Sequence, residues 1–501
     1  MDKNFIKNVS ILSVINIIVR IIGLFYRIPL TNIIGNEGNG YYGSAYNVYT
    51  IVLLISSTSI PMAVSKILSS NQFKTEEKSK VFHCMIIYSL LVGILGASIC
   101  YIFAPILTVG NQNAIPVLKM LAPTIFFSSI IGTFRGYFQS KKNMTPTAIS
   151  QLVEQMVNAI VSIGASYLLV KVHTNNKTVW GAIGGASGTL LGAIASLIFL
   201  IFLFIKKREK ETIVSDINTK NIYKVLIFTM FPMILSTLVH NMSTTIDMTL
   251  YYNLLQWKGE DYKTLTVLYG IYSGQFLVIF HIPTALVATV STSVMPLISG
   301  EKNKQKKIKA IQNALKITAI IAFPCVIGLM LLNKPILQLL FHQDVVALNF
   351  SAKLLFWGSF AIIGTSFTTV SITILQGLNH MKTPIRNIAL SVSIQTILNI
   401  LLFCFTNLNI FVLIVSIISY SILTCIFNFW SLSKEIPIKA LIIASIKTPF
   451  VASLVMGCYL IVLNFVANLI SLRNIVYVTL ALIGSIFIYF LILKKRILFT
   501  E

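Results

Sequence analysis

Apolar runs of membrane-crossing length recur along almost the whole chain, with short polar connections between them. Hydropathy predicts fourteen spans, approximately at residues 9–30, 42–68, 83–107, 116–138, 146–170, 180–205, 222–252, 266–298, 310–332, 351–376, 385–406, 410–431, 440–467 and 474–493. Most runs reach the roughly 20 residues that a helix needs to cross a bilayer. The long seventh and eighth runs are expected to tilt, to project beyond the bilayer or to bend at Pro232 and Pro283. The pattern predicts an all-α polytopic membrane protein.

Three motifs of the first half return in the same order in the second half. The pairs are Ser57–Pro61 with Ser291–Pro296, Ile130–Thr133 with Ile362–Thr365, and Gln139–Pro146 with Gln376–Pro384. Their offsets of 232 to 238 residues indicate a duplicated unit of six spans. Because six is even, both copies enter the membrane in the same orientation, as in parallel-repeat transporters. We therefore predict an N-lobe at 1–215, a C-lobe at 216–437 and an appended helix pair at 438–501.

Composition and charge agree with this class. Of the 501 residues 56% are hydrophobic and 11% charged, whereas a soluble domain carries roughly 25% charged residues. The net charge of +24 is a topology signal and does not indicate nucleic acid, because 27 of the 39 Lys and Arg residues lie on one predicted side and nine on the other. The bias predicts a plasma-membrane protein with cytoplasmic N- and C-termini. The six cysteines lie in apolar runs without metal-ligand spacing, so neither a metal nor a cofactor is expected.

Two arginines stand in the first span, before a polar, glycine-rich turn that extends to Gly43. Arg20 lies roughly 16 Å along the predicted helix, where an arginine costs roughly 3 kcal/mol on insertion scales. Such residues usually face a bundle interior or a water-filled cavity. With Arg27, seven residues later, Arg20 predicts a cationic interior surface. The alternatives are a snorkelling or paired Arg20 and an interfacial Arg27.

The other polar groups within the spans are few. Glu154 lies about 12 Å from the predicted cytoplasmic end of the fifth span, near Arg135, so the two predict an inner gate or a static ion pair. Gln151, one turn before Glu154, joins these gating candidates. His281, near the middle of the eighth span, is a candidate for proton coupling, although a structural histidine is the commoner case. Asp247 is a weaker candidate, because a solvated position at the outer end of the seventh span is favoured.

Catalytic motifs do not occur in the sequence. It contains no paired carboxylates in a span, no GxSxG, no P-loop and no HExxH. Without such groups or a large extramembrane domain, catalysis has no evident machinery. The pattern favours a carrier over an enzyme.

Three segments carry a family resemblance: Ile22–Tyr42, Pro61–Lys66 and Arg135–Gln155. They resemble the stage V sporulation protein B group, which belongs with the MurJ-type lipid II flippases in the polysaccharide-exporter and MATE-like superfamily. The resemblance implies two six-helix lobes around a cavity that alternates access, with a lipid-tail groove formed by the last two helices. It also implies that an undecaprenyl-diphosphate-linked sugar moves from the inner to the outer leaflet, with membrane lipids and cell-wall synthesis or division machinery as partners.

The same resemblance implies substrate-binding roles for Arg20 and Arg27, and for Glu37 as the acidic residue after the first span, at a shifted position. Further arginines of MurJ-type proteins have no counterpart here, since Ser56–Ile60 and Gly274–His281 contain neither Arg nor Lys. A diphosphate still suits guanidinium groups, which bind phosphate through two parallel hydrogen bonds. An inside-negative potential also favours outward movement of an anion, by about 2.3 kcal/mol per charge per 100 mV.

Other functions stay open at this point. A MATE-like exporter of cations would need an acidic site, for which only Glu154 is available in the first lobe. An intramembrane glycosyltransferase and a structural division protein are further alternatives. The sugar could be that of lipid II, a spore-cortex precursor or a capsule unit.

Overall fold

The computed structural model describes residues 15, 18–54, 57, 59–69, 77–141, 143–207, 219–301 and 303–498, and every regular element within them is a helix. Residues 18–25 form α1. The others are α2 (Arg27–Leu53), α3 (Ile60–Ser69), α4 (Lys78–Ile102), α5 (Ala104–Leu107), α6 (Ile115–Ser140), α7 (Thr145–Val172), α8 (Lys177–Lys207), α9 (Thr219–Trp257), α10 (Tyr262–Ile271), α11 (Leu277–Ser299), α12 (Lys304–Leu331), α13 (Asn333–Leu340), α14 (Val345–Gly358), α15 (Phe360–Gly377), α16 (Lys382–Phe405), α17 (Phe411–Leu432), α18 (Ile438–Leu469) and α19 (Asn474–Leu498).

Twelve helices in the described part of the chain are long and apolar enough to cross a membrane by length and composition. The first of them, Ile18–Leu53, overlaps both the first and the second predicted span. The all-α, multi-pass fold predicted from hydropathy is confirmed. In the eighth span the regular helix is interrupted by a π-helical turn at Tyr272–Phe276, whereas α11 continues through Pro283.

The glycine-rich segment predicted as a turn contains a break between two helical stretches of α2. Gly35 alone has non-helical angles, with φ 68° and ψ −179°. A left-handed φ favours glycine, which lacks a Cβ. The side-chain amide of Asn39 donates to the carbonyl oxygens of Gly35 (2.7 Å) and Thr31 (3.3 Å), replacing main-chain donors lost at the kink. The predicted turn therefore coincides with a break at Gly35, and the glycines that follow it are helical despite their low helix propensity.

Packing divides the chain into two units, Met1–Gly270 and Ile271–Glu501. In the first unit α3 packs on α6, and α8 packs on both α6 and α7. In the second unit α11 packs on α15, and α17 packs on both α15 and α16. The duplicated motifs lie on or next to α3, α6 and α7 in the first unit and α11, α15 and α16 in the second, as expected for a repeat. The lobe boundaries themselves stay a prediction: residues 215 and 216 lie outside the described residues, and packing groups α9 and α10 with the first unit.

Each unit has its own apolar core. In the first unit a cluster of aromatic rings joins α4, α6 and α8, with centroid separations of 4.8 to 5.9 Å among Phe82, Phe134, Tyr137 and Phe204. In the second unit one core lies between α11, α12, α15 and α17, and another lies where α18 and α19 meet α12. These cores hold the helices that position the polar residues described below.

Small residues bring α7 and α8 into backbone contact. The hydroxyl of Ser162 donates to the carbonyl of Gly185 and that of Ser166 donates to Gly181, each over 2.8 Å. A Cβ added at Gly188 would lie 2.1 Å from Ser162 Oγ and 2.6 Å from a backbone carbonyl oxygen of α7. Interfaces of small residues with interhelical hydrogen bonds are typical of membrane helix packing, where burial of apolar surface gives little driving force.

We expect Gly188→Ala to lower the stability of the purified protein by about 1–3 kcal/mol, because overpacking must separate the two helices. Thermal unfolding in detergent measures the change. Gly164→Ala on α7 is the matched control, since a Cβ there meets no atom within 4 Å. Equal stability of the Gly188→Ala and Gly164→Ala variants would show that the close approach is not needed.

Candidate functional site

Arg27 begins α2 and lies against two tyrosine rings of the same helix. Its Cζ is 4.5 Å from the ring centroid of Tyr42 and 5.7 Å from that of Tyr46. The two rings are stacked, with centroids 5.5 Å apart and planes inclined by 13°. A guanidinium over an aromatic face gains about 0.5–2 kcal/mol, the more so when water is excluded. The kink at Gly35 lies between the arginine and the tyrosines in sequence and allows them to meet.

The guanidinium of Arg27 is not fully satisfied by this aromatic contact. Its Nη1 is buried and has no hydrogen-bond partner among the described residues. A buried donor without an acceptor costs about 1–3 kcal/mol, and more when it is charged. Since Nη1 keeps its full donor capacity, the position suits an oxygen-rich anion. Arg27 was therefore predicted as a site residue from the sequence, whereas the two tyrosines that contact it, Tyr42 and Tyr46, were not.

The polar side of α7 runs beside α1 and the start of α2. A Cβ added at Gly23 would lie 3.1 Å from Gln155 Nε2. Three residues further along each helix, the amide of Asn158 donates to the hydroxyl of Tyr26 over 3.5 Å. Both contacts advance in the same direction, so the helices run parallel here. The arginine-bearing segment thus faces uncharged amides of α7.

Arg20 and Gln151 continue this arrangement towards the beginning of α7. The offset of the two contacts places Gln151 level with the turn of α1 that carries Arg20. Arg20 is an exposed residue, and the seven-residue spacing puts it on the same helix face as Arg27. The Gln151 Oε1 atom is buried and lacks a partner in the described part of the chain. The guanidinium groups of Arg20 and Arg27 and the amide of Gln151 therefore lie on one side of the first unit.

Arg135 and Glu154 form the ion pair that the sequence predicted. Arg135 Nη2 lies 2.7 Å from Glu154 Oε2, and the two side chains are 15% and 33% exposed. Arg135 also donates from Nε to Ser150 Oγ (2.9 Å) and from Nη2 to Ser196 Oγ (3.2 Å). The guanidinium thereby ties α6, α7 and α8 together within the first unit and neutralises Glu154. A gating role for the pair stays a prediction.

Glu37 lies beyond the kink in α2, on the side of the helix that meets the segment before α6. Its Oε1 accepts a 2.7 Å hydrogen bond from the hydroxyl of Tyr41, which in turn accepts from the Asn113 amide over 2.9 Å. The carboxylate is therefore part of a local polar chain. Its predicted contact with substrate stays a prediction.

Asp247 lies in α9, beside a polar cluster that the sequence did not signal. Asn47 of α2 donates to the carbonyl of Thr244 (3.1 Å) and the hydroxyl of Tyr269 (3.4 Å), while its Oδ1 accepts from the hydroxyls of Thr244 and Thr245. Asp247 is only 7% exposed. The expectation of a solvated end residue was wrong, because α2 and α10 pack over this part of α9.

The same end of the first unit contains a close crossing of α2 and α10. A Cβ added at Gly40 would lie 2.1 Å from the carbonyl oxygen of Thr266, and one added at Gly270 would lie 1.7 Å from that of Asn36. Neither glycine can be replaced without moving a helix. Nearby, Ser44 Oγ and Tyr252 Oη are 3.2 Å apart. The hairpin formed by α9 and α10 is thus fastened to α2 at several levels.

His281 lies in the second unit, on α11. It is an exposed residue whose ring centroid is 5.5 Å from that of Phe280, and its main-chain carbonyl accepts from Thr284 Oγ1 over 3.2 Å. Six residues earlier, Gln275 is buried in the π-helical turn and donates to Gln343 Oε1 over 2.9 Å. Proton coupling through His281 stays a prediction.

Comparison with known proteins extends the geometric picture. A family model described as polysaccharide biosynthesis protein matches residues 5–302, and one described as MatE matches residues 232–401. The structure is similar to "Lipid II flippase MurJ, inward closed conformation", with a TM-score of 0.72, 18% identity and coverage of 97% of this chain and 99% of that one. It also resembles an inward-facing multidrug resistance MATE family transporter of the MOP superfamily, with a TM-score of 0.65, 16% identity and coverage of 86% and 98%.

Curated relatives come from Bacillus subtilis (strain 168). The lipid II flippase MurJ is 26% identical over 430 residues, 80% of this chain and 77% of that protein. The uncharacterized membrane protein YabM is 29% identical over 405 residues, 78% and 73% of the two chains. Stage V sporulation protein B is 25% identical over 328 residues, 63% and 61% of the two chains.

Fold and relatives together define a multi-pass membrane transporter of the MOP superfamily. The family model described as polysaccharide biosynthesis protein matches more than half of the sequence, so the chain belongs to that family. The resemblance to the MurJ and stage V sporulation protein B group is confirmed.

We expect Arg135→Gln to destabilise the protein by about 1–3 kcal/mol, because Glu154 loses its cation and two serines lose their donor. Glu154→Gln should cost less, since Arg135 keeps both serine contacts. Thermal unfolding compares the two variants, and cysteine labelling at cavity positions reports accessibility. Labelling that increases in both variants at unchanged stability would favour the inner gate over the structural clamp.

Proposed function

We propose that this protein moves an undecaprenyl-diphosphate-linked sugar from the inner to the outer leaflet of the plasma membrane by alternating access. The observation that carries the proposal is the buried Nη1 of Arg27, a cationic donor without a partner among the described residues. Arg20 on the same helix face would supply the second cation. Two guanidinium groups match the two phosphates of such a substrate in charge and in hydrogen-bond geometry.

The neighbouring groups support a ligand that is both anionic and rich in hydroxyls. The amides of Gln151, Gln155 and Asn158 lie along α7 beside the arginines, and amides both donate to and accept from sugar hydroxyls. The relative named lipid II flippase supports the same substrate class. The particular sugar, plasma-membrane localisation with cytoplasmic termini, and contacts with cell-wall synthesis or division machinery belong to the proposal.

A cation exporter fits these groups less well. Such a protein needs a free carboxylate near its substrate, and the 2.7 Å ion pair with Arg135 already occupies Glu154. The adjoining guanidinium groups would repel a cationic ligand in a space where salt screens weakly. The charge arrangement therefore favours an anion.

For the substrate to be released on the outer side, the hairpin formed by α9 and α10 must move away from α2. In the predicted topology the crossing of Gly40 and Gly270, and the cluster around Asn47, lie at the outer end of these helices. Their contacts join α2, from the predicted N-lobe, to α9 and α10, from the predicted C-lobe. We propose that these contacts form in the state that is closed to the outside and part in the state that is open to it.

Removing the guanidinium tests the proposed binding role. We expect Arg27→Ala to reduce flipping of a fluorescent undecaprenyl-diphosphate sugar in proteoliposomes by about tenfold to a hundredfold, because a charged hydrogen bond contributes about 1.5–3 kcal/mol. Arg20→Ala should act in the same direction. Arg27→Lys should recover little, since an ammonium offers a point charge and no planar fork.

The control is Arg386→Ala, which removes an exposed arginine of α16 and should leave flipping unchanged. Each variant is first checked for wild-type insertion and thermal stability. Full flipping by a stable Arg27→Ala protein would contradict the proposed role.

The crossing of α2 and α10 gives a separate prediction. We expect Gly270→Ala to expose a cysteine introduced at the outer end of α2 to impermeant maleimide, because the new methyl group would meet Asn36 O at 1.7 Å and force the helices apart. Gly328→Ala on α12 is the control, since a Cβ there meets no atom within 4 Å. Unchanged labelling in Gly270→Ala would show that these glycines do not hold the outer side closed.

A further inference from the structure

An open groove lies between α4 and α6, away from the arginine site. Its volume is about 460 Å³, within the range of about 300–1,000 Å³ typical of small-molecule sites. The groove is lined by residues that lie about one or two turns apart on each helix. They include Ile94, Ala97 and Tyr101 of α4 and Ala122, Pro123 and Phe126 of α6. Ile94 and Tyr101 are 51% and 52% exposed, so the α4 wall of the groove is open, whereas Ala122 is buried.

The shape of the groove follows from where the two helices touch. At Gly93 they meet closely, because a Cβ there would lie 3.0 Å from Phe126 Cα and 3.1 Å from Ser129 Cβ. Beyond this contact, towards the start of α6, Pro123 lacks the N–H that would bond the carbonyl of Lys119 and so weakens the helix. The walls run for about 12 Å along α4 at a rise of 1.5 Å per residue. A slot of this length and apolar lining fits part of an acyl chain.

A single positive charge stands at the mouth of this groove. Lys119 lies one turn before Pro123 on α6, and its Nζ is 5.0 Å from the ring centroid of Tyr101. Neither α4 nor α6 contains an Asp or Glu, so no carboxylate on either helix competes for the ammonium. Lys119 is four residues from the start of α6 at Ile115, about 6 Å along the helix axis, near the depth of a lipid phosphate. The apolar slot and the cation at its rim match the two ends of an anionic phospholipid.

We propose that the groove between α4 and α6 binds an anionic glycerophospholipid, with one acyl chain between the helices and the phosphate at Lys119. The predicted topology puts the mouth in the outer leaflet. Anionic lipids are attracted to basic residues near the membrane surface, and an exposed apolar slot in a transmembrane protein is filled by chains. The site is independent of the arginine cluster and does not require the proposed transport substrate.

The probe is phosphatidylglycerol, compared with phosphatidylcholine, on full-length protein purified in detergent after exchange into an equimolar mixture of both lipids. Native mass spectrometry counts the lipids retained. We expect several-fold more phosphatidylglycerol than phosphatidylcholine on the wild-type protein. Lys119→Gln should abolish that preference while lipid stays bound, and Ala97→Phe, which fills the slot, should reduce retention of both lipids.

Lys171→Gln is the control, since it removes another lysine from the same predicted side without touching the groove. Thermal unfolding of each variant confirms that it is folded, and Ser98→Phe, at a partly exposed lining residue, provides a second way to fill the slot if Ala97→Phe is unstable. An unchanged preference for phosphatidylglycerol in Lys119→Gln would overturn the headgroup assignment. Full lipid retention in stable slot-filled variants would overturn the site itself.

Discussion

The guanidinium group of Arg27, whose Nη1 is buried, is the constraint on which the rest of the first unit depends. A charged donor in an apolar bundle is tolerated only where its surroundings stabilise it. Here Tyr42 and Tyr46 receive one face of the cation, and the kink at Gly35 brings them to it. The aromatic contact stabilises the charge without consuming its hydrogen bonds. The result is a donor that is held in place and still available to an acceptor.

A separate ion pair neutralises Glu154, so that this carboxylate does not compensate the charge of Arg27. Arg135 pairs with Glu154 and bonds two serines, so the carboxylate of α7 carries no uncompensated charge. The helix that carries Glu154, α7, presents amides such as those of Gln155 and Asn158. These amides can contact sugar hydroxyls and do not attract cations. One ion pair thus packs three helices together and, in the proposed function, leaves no free carboxylate on α7 to attract a cation.

The sequence predicted those features that leave a strong local signal. Charges inside apolar runs are rare, so Arg20, Arg27 and the pairing of Arg135 with Glu154 were accessible from spacing alone. Asn47 could not be found, because an amide in a span gives no signal and its partners lie about 200 residues away.

Where the sequence interpretation failed, tertiary contacts had replaced local preference. In the glycine-rich segment the predicted turn is confined to Gly35, and the residues after it are helical because Asn39 caps the break and Gly40, without a Cβ, admits α10. The burial of Asp247 was missed for the same reason, since the helices that cover it are distant in sequence. Tyr42 and Tyr46 could have been found from the sequence, because aromatic residues one helical turn apart follow an intramembrane arginine.

The most direct test of a cationic, lipid-diphosphate site is a binding comparison on the reconstituted full chain. The protein is titrated with a fluorescent undecaprenyl-diphosphate sugar and, separately, with a quaternary ammonium dye. We predict saturable binding of the diphosphate that weakens at least about tenfold in Arg27→Ala, together with negligible binding of the dye. Saturable dye binding that Arg27→Ala leaves unchanged, without binding of the diphosphate, would contradict the account and identify a cation carrier whose arginines are structural.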